Sequence, residues 1–505
     1  MIIIGQHPLS IDEVIQVARK NEAVKLGDTA VELIHNSNNR LKEIIDSNQP
    51  VYGINTGFGI FADKKIQKHE IKKLNRNLIL SHAVGVGLPL SDEIVRAAMI
   101  VRVNTLAKGF SGVRQELIDT IIEALNKRVT PIVPSQGSLG SSGDLCPLSH
   151  MALVLTTDEN DSEVESGSAK YQNNEYSGKK AMELAGIPRF ILGPKEGLAL
   201  NNGATFSAAM AAISIHEANY LADIADNAVS LSLEALRGSP DAFDARIHSA
   251  RGLTGQMAAA RNIQSCFEGS TLIGSTKRVQ DAYSLRCAPQ VHGAIRDTIE
   301  FAQSIIEREI NAATDNPLIF DPSIALSGGN FHGEPVALIA DYLGIALSEL
   351  GAISERRTFR LTDGKLNDGL PAMLVDSAND EGLKSGVMIL QYTAASLVLE
   401  NQTLASPDSV LSLPTSGGQE DHNANAMNAA KHALQIIDNL RIILSIELFV
   451  ATRAIELRMR STKKLGKTNQ QIYDKIRSQI PFSPEDRIWS HDINKLNLML
   501  KSHQI

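Results

Sequence analysis

After Gly203 the chain holds four long stretches almost free of glycine and proline: "FSAAMAAISIHEANYLADIADNAVSLSLEAL", "EPVALIADYLGIALSELGAISERR", "LKSGVMILQYTAASLVLENQTLA" and "NANAMNAAKHALQIIDNLRIILSIELFVATRAIELRMR". In the second, Val336, Ile339, Ala340, Leu343 and Leu347 recur at helical spacing. Each stretch is apolar round much of its circumference, which suits rods packed inside a bundle or against other subunits. Aromatic residues make up only 4% of the chain, with one Trp, so the side chains that favour strands are scarce. The expectation is a mainly α fold, with a long-helix bundle over residues 204–505. Residues 1–203 are expected to form a mixed, loop-rich N-terminal part that carries the active-site loops.

Within that first part, "PLSIDEVIQVARK" sets Ser10 three residues before Glu13, a capping-box start to an amphipathic helix. "PVYGINTGFGIF", from Pro50, holds three glycines and an Asn and predicts a loop. From Asp158 to Lys180 the chain turns polar and reads as an exposed connector. A length of 505 residues allows two to four domains, and 43% hydrophobic with 21% charged residues suits a large buried core. A net charge of −8 without a long basic block argues against nucleic acid as partner. Cys146, Cys266 and Cys287 lack C-x-x-C spacing, which points to a reducing compartment without disulfides or structural zinc. "MIIIGQHPLS" is too briefly apolar for a secretory signal. "LQIIDNLRIILSIELFV" carries Asp438, Arg441 and Glu447 and so reads as a buried helix rather than a membrane span. A cytoplasmic location without membrane contact is expected.

The segment "GSLGSSGDLCPLSH", Gly137 to His150, fits no common site. Gly140-Ser141-Ser142-Gly143 lacks the spacing of a hydrolase elbow, and without a Lys it is no phosphate cradle. Three readings stay open: an ordinary turn, a Ser-Ser-Lys amidase array, or backbone cyclisation. In the last, a tight turn presses the Gly143 nitrogen against the Ser141 carbonyl carbon, and glycine lacks the Cβ that would block the approach. Loss of one water closes an imidazolone ring, and dehydration of Ser142 leaves an exocyclic methylene. The product is an electrophile that no ordinary side chain supplies.

With these residues the chain resembles the aromatic amino acid ammonia-lyase family, whose motif reads G-S-x-G-A-S-G-D-L-x-P-L, and within it the histidine-acting members most closely. Ser141 stands where the family usually carries Ala, and ring closure uses only that residue's carbonyl. Further matches run in order along the chain: "YGINTGFG", "NRNLILSHAVGVG", "KEGLALNNG", "VQDAYSLRC", "TDNPL", "GGNFHGEP" and "PTSGGQEDH".

The resemblance implies an enzyme that eliminates ammonia from an amino acid, L-histidine giving urocanate. Its cofactor would be an internal 4-methylidene-imidazol-5-one made autocatalytically from Ser141, Ser142 and Gly143, with no metal or soluble cofactor. It implies Tyr52 as the base taking the β-proton, which requires a phenol pKa lowered by donors or positive charge. It implies Arg286 as a fork for the substrate carboxylate, Tyr283 on the amine side, and Asn202 and Gln280 as hydrogen-bond donors. Phe331 would wall the ring, and Ser81-His82 with Glu420 would select an imidazole. It also implies a homotetramer with shared active sites and a small amino acid as substrate. Lys384 is a candidate ion-pair partner for Glu420, and Asn423 is a residue found in phenylalanine-type members. Another aromatic amino acid, a histidine betaine, an aminomutase outcome and an inactive helical scaffold are the alternatives.

Overall fold

In the computed structural model the structure describes residues 1–47, 51–57, 59, 64–276, 278–321, 324–376, 378–459 and 463–505. The expected mainly α fold is what forms. Each of the four stretches becomes one rod: Thr205–Ala235, Glu334–Thr362, Met388–Leu404 and Ala426–Arg458. Val336, Ile339, Ala340, Leu343 and Leu347 are all buried, as their spacing requires. Strands among the described residues are two to four residues long and pair only into small sheets of two or three.

The described chain divides into two compact units. The first comprises Met1–His216, Gln303–Asp341 and Pro407–Lys431; the second comprises Glu217–Ala302, Tyr342–Ser406 and His432–Ile505. Residue 203, where the sequence changes character, lies inside the first unit, and the first cut falls within the helix Thr205–Ala235.

In the first unit, Ser10 and Glu13 form the expected capping box: Ser10 Oγ accepts from Glu13 N (3.2 Å) and Glu13 Oε2 accepts from Ser10 N (2.9 Å). That helix packs on Asp92–Ala107, whose residues from Val95 to Ala107 are all buried. The helix Ile71–His82 packs on Leu145–Leu155 and Glu196–Asn201, which brings three site-bearing segments together. The polar stretch 158–180 is a folded element and not the bare connector its composition suggested. Ser168–Tyr171 and Asn174–Ser177 pair as a hairpin whose two turn residues, Gln172 and Asn173, have φ of 50° and 64°. Left-handed conformation at both turn positions matches the right-handed twist of the strands. Asp161 is anchored by Arg189 Nη1 (2.6 Å) and Thr157 Oγ1 (2.8 Å), and Ser168–Tyr171 extends the sheet of Thr130–Pro131. The loop expected from Pro50 is irregular over residues 51–57, while Pro50, Phe58, Ile60 and Phe61 lie outside the described residues.

Lys195 and Asp315 form an ion pair with both side chains fully buried, and Ser111 Oγ donates to Asp315 Oδ1 (2.7 Å). Lys195 has a left-handed φ of 69° and stands at the start of the helix Glu196–Asn201. Burial pushes its ammonium pKa down, against the pull of Asp315. Asp315→Asn would leave that cation buried without its counter-charge, and we expect a loss of about 3 kcal/mol of unfolding free energy in chemical denaturation.

The second unit buries a further charged pair. Arg357 Nε and Nη2 donate to Glu447 Oε1 (2.5 Å) and Oε2 (2.8 Å), and Ser232 and Ser354 complete the carboxylate's partners. Glu447 belongs to the apolar run read above as a buried helix, and it is buried here as a fully partnered charge. The helix Glu334–Thr362 is long and apolar enough to cross a membrane, yet 72% of its most apolar window is buried inside the protein. Cys146, Cys266 and Cys287 are free thiols.

Candidate active site

The serine–glycine segment is threaded between other stretches of the first unit. Leu139 O accepts from Asn425 N (2.7 Å) and Gly140 O from Gly333 N (2.9 Å). Gly143 has φ of 77°, and a Cβ there would stand 2.1 Å from the carbonyl carbon of Gly203. Only glycine permits that approach. The contact is a backbone bridge: Gly203 N donates to Ser142 O (3.2 Å), and Asp144 N donates to Gly203 O (2.9 Å).

Asp144 straps the far end of the loop. Its carboxylate accepts from Ser138 Oγ (2.8 Å), Ser207 Oγ (2.9 Å) and Ser207 N (2.8 Å). Burial pushes its pKa up, while those donors and Arg102 pull it back. Two donors converge on the Ser142 carbonyl oxygen, Gly203 N and Asn202 Nδ2, the latter at 2.8 Å. Such a pair stabilises negative charge on that oxygen. Asn202 is itself held from behind by Arg102, whose Nη1 donates to the carbonyls of Asn202 (2.9 Å) and Ala199 (3.2 Å). Arg102 is fully buried, which pushes its pKa down to about 10.

Glu420 lies across the serines: Ser141 Oγ donates to Oε2 (2.8 Å), Ser142 Oγ to Oε1 (2.5 Å) and Thr415 Oγ1 to Oε2 (3.2 Å). The amidase array would set a lysine ammonium on these hydroxyls. Their partner is a carboxylate, which removes that alternative. Lys384 is not diverted to Glu420 either: its ammonium is taken by Asp380 (2.9 Å) and Glu485 (2.8 Å). Asn423 is buried and bonded to the backbone of Leu413 in both directions, so its amide is spent on loop structure and it does not line the cavity.

His82 Nδ1 lies 2.8 Å from the Leu78 carbonyl one turn back and 3.0 Å from Ser81 Oγ. A carbonyl only accepts, so the ring carries its proton on Nδ1 and presents Nε2 as an acceptor. Burial pushes the His82 pKa down, opposed by Leu78 and by the charge of Glu420. The imidazole therefore stays neutral at neutral pH and to more acidic pH than a free one. Tyr52 departs from expectation. Burial raises its phenol pKa and Glu420 adds to the rise, with only a Gly59 backbone hydrogen bond opposing. The Gly59 bond is too weak to reverse the rise, and the charge that acts on the phenol, Glu420, is negative.

Tyr52, His82, Ser141, Ser142, Asn202, Phe331 and Glu420 all line one cavity of about 1360 Å3. Gln280, Tyr283 and Arg286 are not among the lining residues; all three belong to the second unit. Gln280 is exposed, Tyr283 is 71% exposed, and the Arg286 guanidinium sits 4.8 Å from the Tyr283 ring centre. The Gly203 amide and the supporting roles of Arg102 and Leu78 escape a reading by residue type, because backbone groups and through-space supports leave no motif. The serine of Asp144's strap, Ser207, follows "NNG" by four residues and carries no signal of its own.

The aromatic amino acid lyase family matches residues 9–478. The histidine ammonia-lyase of Caldanaerobacter subterraneus subsp. tengcongensis is 46% identical over all of this chain and 97% of that protein. Among solved structures, histidine ammonia-lyase from Trypanosoma cruzi superposes with a TM-score of 0.90 at 37% identity, covering 100% of this chain and 94% of that one. Ergothionase from Treponema denticola, solved with desmethyl-ergothioneine sulfonic acid, superposes with a TM-score of 0.91 at 31% identity, covering 100% and 99%. By match, coverage and fold, the chain belongs to the aromatic amino acid lyase family and is a carbon–nitrogen lyase.

Proposed function

We propose that this enzyme eliminates ammonia from L-histidine to give urocanate. The observation that carries the reading is a pair of acceptors, His82 Nε2 and the Glu420 carboxylate, facing the cavity that holds the serine–glycine loop. A neutral imidazole offers its N–H to one of these acceptors and a protonated one offers an N–H to each, whereas a phenyl ring would leave both unpaired, a costly mismatch. The histidine ammonia-lyases among its relatives support the same choice.

The residues present fit an internal 4-methylidene-imidazol-5-one. Gly143 is packed where a Cβ has no room, two donors aim at the Ser142 oxygen, and buried Asn202 Oδ1 has no partner among the described residues. In the reaction that builds it, Gly143 N bonds the Ser141 carbonyl carbon. That carbonyl's oxygen leaves as water with the amide hydrogens of Ser142 and Gly143. Ser142 then loses its hydroxyl and Cα hydrogen as a second water. Once formed, the group supplies an electrophile that turns the substrate amine into a better leaving group.

The chain's own side chains do the rest. Asn202 and the Gly203 amide stabilise charge on the Ser142 oxygen, His82 and Glu420 orient the imidazole, and Phe331 walls the site. Tyr52 takes the β-proton, which needs a cation beyond those of its own surroundings. A homotetramer with shared sites supplies it in this reading. Gln280, Tyr283 and Arg286 of one copy enter the cavity of another, with Arg286 holding the substrate carboxylate. The outward apolar residues Ile389, Tyr392 and Leu399 of the helix Met388–Leu404 support burial between copies. Free thiols agree with a reducing, cytoplasmic location.

The test is ultraviolet detection of product with histidine, phenylalanine, tyrosine and a histidine betaine side by side, together with intact mass. Histidine is expected to be turned over fastest by a chain two waters lighter than its sequence. Preferential turnover of another substrate overturns the specificity, and a full-length mass overturns the cofactor.

A further inference from the structure

Glu420 has both carboxylate oxygens engaged by hydroxyls of the loop, and only one of those hydroxyls survives the chemistry proposed above. Ser142 Oγ holds Oε1 at 2.5 Å, and Ser141 Oγ holds Oε2 at 2.8 Å. When Ser142 sheds its hydroxyl with its own Cα hydrogen as water, a double bond joins Cα to Cβ and Oε1 loses its donor. Ser141 gives up only its carbonyl oxygen, so its hydroxyl remains.

We propose that Ser141 is a positioning residue for substrate selection: its hydroxyl keeps Glu420 Oε2 fixed, so that maturation of the loop opens Oε1 as the acceptor for the substrate's ring N–H. This rests on the ring-forming reading. It gives a chemical use to the one loop residue that departs from the family motif. Ser141 is 8% exposed, on a segment pinned by Asn425 N and Gly333 N, so its hydroxyl is a fixed donor. Thr415 Oγ1 adds a longer bond (3.2 Å) to the same Oε2, which leaves Oε1 the freer oxygen. Before maturation the Ser142 hydroxyl competes for Oε1, and its loss leaves that oxygen's lone pairs to the substrate.

The experiment compares the full-length enzyme with Ser141→Ala and Ser141→Thr by intact mass and by steady-state kinetics on histidine. Ser141→Ala is expected to lose both waters, because ring closure needs only the carbonyl. Its KM should rise about tenfold with kcat changed far less, as removal of one hydrogen bond to a charged group predicts. Ser141→Thr keeps a hydroxyl and should restore KM. A Ser141→Ala enzyme with the full two-water deficit and unchanged KM overturns the proposal, and so does a threonine variant no better than alanine. A Ser141→Ala chain that loses no water assigns the residue to ring closure instead, which also overturns it. Wild-type enzyme at full-length mass would sink the cofactor reading itself, a result these variants cannot imitate.

Discussion

Ser142→Ala is expected to fold normally and to release ammonia from histidine at least about a thousandfold more slowly, roughly 4 kcal/mol of transition-state stabilisation. The reason lies in what the substitution removes and what it spares. The donors on the Ser142 carbonyl, Asn202 Nδ2 and Gly203 N, bind backbone and survive. Glu420 keeps its bond from Ser141. The single loss is the hydroxyl whose departure creates the electrophile. Intact mass should therefore show a chain at most one water light, and circular dichroism and unfolding free energy should match the wild type. Turnover near the wild-type rate would mean that elimination proceeds without the electrophile.

Gly143→Ala is expected to abolish the same activity by a different route, one that shows in stability. The new Cβ would lie 2.1 Å from the Gly203 carbonyl carbon and 2.4 Å from its oxygen, on backbone that cannot step aside like a flexible side chain. It would also force an L residue into φ of 77°. Separating the two segments breaks the bonds from Gly203 N to Ser142 O and from Asp144 N to Gly203 O. At about 1 kcal/mol each, these two bonds alone imply a loss of about 2 kcal/mol, with the strain added to it. Intact mass should show no water lost, and denaturation should separate this variant from Ser142→Ala. An alanine variant of wild-type mass deficit and stability would refute the close approach.

The readable parts of this chain are those whose chemistry is contiguous. The three residues of the loop are neighbours, so ring formation follows from their types, and the helical rods follow from apolar periodicity. Glu420 reaches Ser142 from 278 positions away and Asn202 from 60. Sequence could nominate these partners only through motifs, and only packing joined them to the loop. Residue type alone does not say which partner a side chain meets. The stretch 158–180 looked like a connector because its residues are polar, yet Asp161 and the turn at Gln172–Asn173 give polar residues a folded use. By type Lys384 is a candidate partner for Glu420 and Asn423 a residue of phenylalanine-type members, yet one is spent on Asp380 and Glu485 and the other on Leu413. Tyr52 needs a lowered pKa for its role, and the surroundings that this chain supplies raise it.

By itself, the sequence determined the helical architecture, the cyclisable loop and the family, because periodicity and adjacent bonds are local properties. Tertiary structure alone decided which oxygen each donor meets, which proton His82 carries and where Gly143 is pressed. Those depend on distances between segments remote in the chain, set by how its helices pack.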